Sequence, residues 1–255
     1  MKIEKLTKII NLSTQLAISD FKLKNEGSFF GLLWYVFNPI LLFTLLYFVF
    51  RNNLGNDIHY YSLYLLLGIL MYNFFQSVTS ESTRTIISEN NHLIKSINFP
   101  RESLIIAIVL KNIFSHIIEI FLFGILLIYF GLNFLNLFFY ILILFLFCLF
   151  LIGISLILSS LTVYFTDLDN VWNFLTRLLL FVTPIFYVIE NNQTLLYVNY
   201  LNPLYYYIEI ARDVIIYNRF PETNMIIGSL CFSLIFFAIG QIIFRKYNKK
   251  IAELI

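Results

Sequence analysis

The sequence contains few charged residues and few cysteines. Asp, Glu, Lys and Arg make up 13% of its 255 residues, whereas about 25% is typical of a soluble domain. The two cysteines, Cys148 and Cys231, each lie inside an apolar run, which excludes a secreted scaffold held by disulfide bonds. The net charge is +2 and there is no Lys/Arg stripe, so nucleic-acid binding has little support.

Motifs for nucleotide binding and catalysis are also missing. None of the nine glycines is followed by Lys, so the sequence has no P-loop for a nucleotide. The three histidines form no metal-ligand cluster, and there is no Gly-x-Ser-x-Gly sequence or catalytic carboxylate pair. We therefore expect a chain that is not an enzyme and binds no cofactor. Uphill transport would draw its energy from an ion gradient or from a separate ATPase.

Apolar residues are abundant instead. Hydrophobic residues make up 60% of the chain and aromatic residues 19%, more than the interior of a water-soluble fold can hold. A membrane-spanning helix needs about 20 mainly apolar residues. The sequence thus predicts an all-α integral membrane protein with six transmembrane helices, at Leu33–Phe50, Ser62–Val78, Leu104–Phe130, Leu137–Tyr164, Val171–Ile189 and Met225–Phe244.

The basic residues predict the orientation of these spans. Most of the 17 Lys and Arg residues lie in the N-terminal arm, in the connection between the second and third spans, and in the C-terminal tail. Loops rich in Lys and Arg stay in the cytoplasm. We therefore expect a multi-pass protein of the cytoplasmic (inner) membrane with both termini in the cytoplasm.

The chain is expected to begin with a cytoplasmic helix, residues 1–30, followed by a six-span domain, residues 31–255. Leu6, Ile9, Ile10, Leu16 and Ala17 fall near helical spacing, with lysines elsewhere around the wheel. This pattern predicts an amphipathic helix on the inner membrane surface. A frayed cytoplasmic tail is the alternative.

Two connections carry more apolar residues than simple loops need. The cytoplasmic one, at about 81–103, has five large aliphatic residues before Pro100, which sets the start of a new helix. We expect it to dock against a protein or the membrane surface. The outer one, at about 190–224, is broken at Asn202-Pro203 and predicts two short re-entrant helices. Within it, Arg212 has Glu209 or Asp213 as an expected ion-pair partner.

Ionisable residues inside the spans are candidates for function. His116 and Glu119 lie one helical turn apart near mid-membrane. A satisfied hydrogen-bonded pair, a polar lining of a pathway and a proton relay are three readings that the sequence leaves open. Lys111 and Arg177 lie near cytoplasmic ends, within snorkelling reach of headgroups.

The order of motifs along the chain resembles that of a known family, the permease subunits of ABC exporters for cell-surface polysaccharides such as O-antigen, capsule and teichoic acid. The resemblance covers essentially the whole chain. One departure is Thr166, where such permeases usually carry Arg before the following Asp. The motifs are Gly27–Trp34 leading to Asn38-Pro39, Tyr47–Phe50, Leu63–Phe75, Asn98–Leu104, Thr162–Leu168, Thr183–Tyr187 and Leu201–Asp213.

The resemblance implies a homodimer of six-span permeases with two ATPase subunits, which would bind ATP and Mg. The N-terminal helix would act as a gate helix. The outer helices would cap the exit, and they contain Asn202, Pro203, Glu209, Arg212 and Asp213. A coupling helix at about Ser88–Ile97 would dock on the ATPase through Ser88, Glu89, Asn90, His92 and Lys95.

The implied substrate is a polysaccharide carried on a lipid, often undecaprenyl diphosphate. Lys22, Lys24 and Arg177 could hold the diphosphate near the inner mouth, although contact with anionic lipid is the alternative. Aromatic residues suit a sugar path, but an aromatic belt against lipid would look the same. The path candidates are Tyr35, Tyr47, Tyr61, Tyr64, Tyr72 and Tyr187.

Two other functions compete with polysaccharide export. An ABC exporter for a drug or a small lipid would share the coupling helix. An ion-coupled secondary transporter would need no ATPase and should depend on His116 or Glu119.

Overall fold

The computed structural model describes residues 2–25, 31–54, 58–85, 99–189 and 193–254, and within these ranges it contains helices and no strand. Short 3-10 turns, Gly31–Leu33 and Phe134–Asn136, precede two of the helices. The helices are α1 Lys2–Asn25, α2 Trp34–Leu54, α3 Tyr61–Arg84, α4 Glu102–Tyr129, α5 Leu137–Thr162, α6 Leu168–Val182, α7 Gln193–Tyr200, α8 Pro203–Ile215 and α9 Thr223–Leu254.

Four of the described helices are long and apolar enough to cross a membrane, namely α3, α4, α5 and α9. They coincide with the second, third, fourth and sixth predicted spans. The all-helical, multi-pass character of the chain is thereby confirmed. In α2 the apolar stretch Phe37–Arg51 is shorter, so the first span stays a prediction.

The fifth predicted span differs from the helix at that position. Helix α6 ends at Val182, before the predicted limit of Ile189. Thr183 takes an extended conformation (φ −71°, ψ 133°) because it precedes Pro184, and a residue before proline disfavours the helical region. A count of six spans therefore stays a prediction.

Helix α3 lies at the centre of the fold. Nearly all of its side chains from Tyr61 to Thr83 are buried. It packs against α2, α4, α5, α6 and α8, while α5 and α9 form another extensive helix pair. A displacement of α3 would therefore alter its contacts with α2, α4, α5, α6 and α8.

Helix α1 packs along α4. Ile9, Ser13 and Ala17 are buried, and the Ser13 hydroxyl donates to the carbonyl oxygen of Ser103 at 3.1 Å. Leu16 is half-buried, whereas Ile10 remains 51% exposed, and the side chain of Leu6 lies outside the described residues. A helix is present where the sequence predicted one, and its buried face turns toward α4. The gate role of this helix stays a prediction.

The two predicted connections have different outcomes. Residues 86–98, which include the whole of the predicted coupling helix, lie outside the described residues. Helix α4 begins at Glu102, just after Pro100, as expected. In the second connection, α7 and α8 are separated at Asn202-Pro203. The Asn202 side chain caps α8 by accepting from the Leu204 N–H at 3.1 Å. Whether these helices re-enter the membrane stays a prediction.

Candidate functional site

A cavity of about 440 Å³ lies between α2, α3 and α4, and eight of its thirteen lining residues are polar. Trp34, Pro39 and Leu42 from α2 and Phe74 from α3 form the apolar part. We call this space the polar cavity. Its polar lining residues are Asn38 from α2, Asn73, Gln76 and Ser77 from α3, and Asn112, Ser115, His116 and Glu119 from α4.

Helical spacing places these polar groups on one face of each helix. The α3 residues occupy positions i, i+3 and i+4, and the α4 residues occupy positions i, i+3, i+4 and i+7. Polar stripes inside membrane-spanning helices are costly unless they face a partner or a water-filled space. The cavity provides that space for both stripes.

His116 is held from both sides of its ring. Its Nε2 atom lies 2.6 Å from the Tyr140 hydroxyl of α5, and its Nδ1 atom lies 3.1 Å from Oε2 of Glu119. The ring also stacks on Phe74 with centroids 4.6 Å apart. A neutral ring that donates from Nδ1 to Glu119 and accepts the Tyr140 proton satisfies all three groups. The hydrogen-bonded pair and the polar lining thus occur together; a proton relay stays a prediction.

A second polar cluster joins the C-terminal end of α3 to the N-terminal half of α4. Lys111 Nζ lies 2.9 Å from Oε2 of Glu81, and both side chains are largely buried. Asn112 donates from Nδ2 to the same Glu81 oxygen at 2.8 Å. Lys111 is therefore paired within the protein, with Glu81 and Asn112 linking this cluster to the polar cavity.

Helix α6 is attached to α3 by a third set of polar contacts. The Thr83 hydroxyl donates to Oδ1 of Asp169 at 2.6 Å, and the Ser80 hydroxyl donates to Oδ1 of Asn173 at 3.0 Å. Asn173 in turn donates to Asp169 at 3.2 Å. The polar end of α3 is thereby tied to the first turns of α6.

Arg212 of α8 makes four hydrogen bonds near the N-terminal end of α3. The side chain is fully buried. Its Nη1 atom donates to the Pro184 carbonyl at 2.8 Å and to Glu209 at 2.6 Å. Its Nη2 atom donates to the carbonyls of Ile185 at 2.9 Å and Tyr64 at 3.2 Å. We call these residues the Arg212 cluster; it fixes the non-helical segment after α6 against α3 and α8.

Tyr64 and Gly68 also lie against the Arg212 side chain. Its guanidinium lies 3.3 Å from the centre of the Tyr64 ring, a cation–π contact. A Cβ atom on Gly68 would lie 2.8 Å from Nη2 of Arg212, so only glycine leaves room for the guanidinium there. Of the two expected ion-pair partners, Glu209 binds Arg212, while Asp213 pairs with Arg219 at 2.6 Å. Burial raises the pKa of Asp213, and the hydrogen bond from Arg219 opposes that rise.

The predicted sugar-path tyrosines mostly use their hydroxyl groups inside the protein. Tyr61 donates to the Phe186 carbonyl at 3.1 Å, and Tyr64 to the Tyr187 carbonyl at 2.8 Å. Tyr187 donates to Val182 at 2.7 Å, and Tyr72 to the Thr176 carbonyl. These bonds hold α6 and the segment after it against α3. A role in the sugar path stays a prediction.

Two predicted tyrosines remain. The half-buried Tyr47 stacks on Tyr61 with centroids 6.0 Å apart and lies under Arg51 at 5.0 Å. The side chain of Tyr35 is outside the described residues. The rings of Tyr47, Tyr61 and Tyr64 therefore stack in a row beside Arg212, and the Tyr187 carbonyl accepts from the Tyr64 hydroxyl.

The predicted inner-mouth cations lie on different helices. Lys22 is exposed on α1, which packs on α4, and Arg177 is exposed on α6, which packs on α3 and α5. The side chain of Lys24 is outside the described residues, as are all five coupling-helix candidates, Ser88, Glu89, Asn90, His92 and Lys95. Binding of a diphosphate and docking on an ATPase stay predictions.

The sequence reasoning missed most of the polar cavity. It selected His116 and Glu119 but not Asn73, Gln76 or Asn112, although their helical spacing was visible. The i, i+3, i+4 recurrence of amide and hydroxyl residues within apolar runs is the signal that could have found them.

Comparison with known proteins agrees with this architecture. The family described as ABC-2 type transporter matches residues 14–216 of this chain, a region that contains the polar cavity and the Arg212 cluster. A Klebsiella pneumoniae protein named O-antigen export system permease protein RfbA is 26% identical over 251 residues, covering 97% of this chain and 96% of that protein. A Myxococcus xanthus protein of the same name is 23% identical over 253 residues, covering 95% and 94%. The protein is therefore a multi-pass membrane permease that belongs to the ABC-2 type transporter family.

Proposed function

We propose that this chain is the membrane-spanning subunit of an ATP-driven exporter that moves a lipid-linked cell-surface polysaccharide outward across the cytoplasmic membrane. It works as a homodimer with two separate ATPase subunits. The observation that carries this proposal is the near full-length similarity to permeases named for O-antigen export in two bacteria. O-antigen, capsule and teichoic acid are the substrates within this class.

The structure supports a route from the ATPase to the polysaccharide path. Helix α3 has 24 residues, about 36 Å at 1.5 Å per residue. One end leads into the connection that carries the predicted coupling helix. The middle lines the polar cavity, and Tyr64 near the other end contacts Arg212. A rigid helix with these three attachments would transmit a displacement of the coupling helix to the cavity and to the Arg212 cluster together.

The predicted orientation assigns a role to each side of this route. The coupling helix and the α1 gate face the cytoplasm, where Lys22, Lys24 and Arg177 attract the lipid diphosphate by charge. The α7–α8 pair covers the outer side and limits exit. A hydrated sugar chain cannot enter hydrocarbon without losing its hydrogen bonds to water, so it needs the lined path that two such permeases would enclose.

Copurification tests the ATPase partner. The tagged full-length chain, extracted gently from its native membrane, should bring a stoichiometric protein with a Walker A motif and should hydrolyse ATP. Glu89→Ala with Lys95→Ala should lower the amount of bound partner and the ATPase rate by about tenfold, which corresponds to 1.4 kcal/mol of docking energy. Gln15→Ala, at an exposed position of α1, is the control and should change neither. A pure oligomer of this chain without ATPase activity would contradict the proposal.

Export assays separate the polysaccharide exporter from its competitors. Loss of the chain should remove surface polysaccharide while the lipid-linked precursor accumulates inside, and a plasmid copy should restore export. Normal surface polysaccharide together with altered drug or lipid efflux would favour the smaller-cargo exporter. Glu119→Gln should abolish transport in an ion-coupled carrier, because the carboxylate beside His116 would no longer exchange a proton; retained export in this variant counts against the carrier.

A further inference from the structure

The polar cavity offers more hydrogen-bonding groups than the protein uses. Among the described residues, nothing bonds the side-chain amides of Asn38, Asn73 and Gln76 or the hydroxyl groups of Ser77 and Ser115. Amides donate and accept, and hydroxyl groups do both with one atom. Unmet polar groups at membrane depth are costly, so water or a ligand must satisfy them.

The charges around the cavity select against an anion. In the described part of the chain, Glu119 is the one Asp, Glu, Lys or Arg residue that lines the cavity, and both ring nitrogens of His116 are already bonded within the protein. Lys111 is paired to Glu81 at 2.9 Å and does not line the cavity. A phosphate or diphosphate would meet a carboxylate with no cation beside it, and like charges at close range repel.

Aromatic rings complete the lining. Trp34 is 46% exposed and lines the cavity from α2, and the buried Phe74 lines it from α3. A pyranose ring has C–H groups that pack on an aromatic face and hydroxyl groups around its edge that exchange hydrogen bonds with amides. A volume of about 440 Å³ lies within the usual range for small-molecule sites.

We propose that the polar cavity binds one neutral sugar unit of the transported chain, with the ring against Trp34 and hydroxyl groups bonded to Asn73 and Gln76. This inference rests on the proposed function, which identifies the sugar as part of the exported polysaccharide. The cavity lies at the middle of the spans, where α3 contributes residues between Asn73 and Ser77 and α4 contributes residues between Asn112 and Glu119. The sugar unit is bound there, and the lipid diphosphate is held elsewhere.

The two tryptophans of the chain allow a site-specific test. Trp172→Phe leaves Trp34 as the reporter on the cavity, and Trp34→Phe leaves Trp172, which does not line it. The full-length chain in lipid nanodiscs is titrated with octyl β-glucoside below its micelle-forming concentration, and with octyl phosphate as the anionic probe of equal chain length. Trp34 emission should shift saturably with the glucoside and not with the phosphate, while Trp172 emission should respond to neither.

Substitutions in the cavity should weaken the glucoside response without changing the fold. Asn73→Leu and Gln76→Leu should each weaken binding about fivefold, the equivalent of one net hydrogen bond. Gln241→Leu is the matched control, because this amide lies on α9 and outside the cavity lining. Ser77→Ala, at an exposed position, provides a mild cavity variant in case the leucine variants unfold. Glu119→Gln removes the carboxylate from the lining and should permit binding of octyl phosphate.

The outcomes distinguish this inference from the function on which it rests. A saturable response to octyl phosphate in the unaltered cavity, or a glucoside response unchanged by Asn73→Leu, Gln76→Leu and Ser77→Ala, overturns the sugar site even if export depends on the chain. A selective glucoside response that these variants weaken supports the site, even if no ATPase copurifies. In that case the exporter proposal alone fails.

Discussion

Replacing Arg212 with Met should lower the free energy of unfolding by about 3–5 kcal/mol, because the substitution removes one partner of a buried ion pair and the guanidinium hydrogen bonds to three backbone carbonyls. The carbonyls belong to Tyr64, Pro184 and Ile185. An unsatisfied buried acceptor costs about 1–3 kcal/mol. Since folded proteins are stable by only about 5–15 kcal/mol, this single change should remove much of the stability of the protein.

The expected loss is a property of the guanidinium geometry rather than of charge alone. Two nitrogen atoms of Arg212 serve four acceptors on three separate parts of the chain, α3, α8 and the segment after α6. A lysine ammonium has the charge but only one nitrogen, so it cannot reach all four acceptors. Arg212→Lys should therefore recover less than half of the stability that Arg212→Met loses.

Thermal unfolding of the full-length protein in detergent measures this effect. A loss of 3–5 kcal/mol corresponds to a decrease in Tm of roughly 10 °C for a chain of this size. Arg219→Met is the matched control, because its ion pair with Asp213 uses a guanidinium side chain that is 65% exposed. Exposed pairs contribute about 0–1 kcal/mol. Equal Tm values for Arg212→Met and Arg219→Met would show that the Arg212 cluster does not hold the segment after α6 in place.

Long apolar runs made four helices predictable from the sequence, but their ends were not. The second predicted span ended at Val78, whereas α3 continues to Arg84. Polar residues extend this helix because distant partners satisfy them: Glu81 pairs with Lys111, and Thr83 donates to Asp169. Hydropathy records only that such residues are polar. It does not record the partners that allow them to remain helical beside the membrane.

The end of α6 was predictable from local chemistry that hydropathy averages away. The sequence after Val182 remains apolar, so a hydropathy window extends the span through it. Thr183-Pro184 nevertheless opposes helix continuation, and the helix stops there. The carbonyls of Pro184 and Ile185, which lie outside a helix, then accept from Arg212. The break and the buried arginine thus explain each other, but only the break is visible locally.

The candidate sites show the same division between local and distant information. Spacing alone predicted the His116–Glu119 contact and gave Glu209 as one of two candidate partners of Arg212, since residues three apart on a helix are neighbours. The contact between Arg212 and the Tyr64 carbonyl joins residues that are far apart in the sequence. Likewise, the α3 and α4 polar stripes could be recognised separately, but their meeting at one cavity depends on how the two helices pack.

Gly153→Ala should force α5 and α9 apart and destabilise the protein by about 3 kcal/mol, the upper part of the range for overpacked cores. A Cβ atom at this position would lie 2.5 Å from both the Phe236 oxygen and the Phe237 nitrogen. These are backbone atoms of α9, so no side-chain rotation relieves the clash. Gly240 faces the same contact from α9, and its Cβ would collide with the carbonyl oxygen of Gly153. Small residues at such crossings allow membrane helices to approach closely.

Thermal unfolding of Gly153→Ala, Gly240→Ala and Gly124→Ala tests this contact against helix propensity. Alanine favours a helix over glycine by about 0.5–1 kcal/mol wherever it fits. At Gly124 the added Cβ meets only the end of the Leu137 side chain, at 2.9 Å, and a flexible side chain can move. We therefore expect Gly124→Ala to leave Tm unchanged or raise it, while the other two lower it.

The sign of the change in Tm distinguishes a helix–helix clash from helix propensity, because all three substitutions change helix propensity in the same direction. If the three glycines served only to make their helices flexible, alanine would stabilise all three variants. A loss confined to Gly153→Ala and Gly240→Ala can arise only where the backbones of α5 and α9 touch. The double variant should then lose less than the sum of the two single losses, because once the helices have separated for one Cβ atom the second meets a wider gap. Strictly additive losses would mean that the two glycines act at independent places, and the close crossing of α5 and α9 would be wrong.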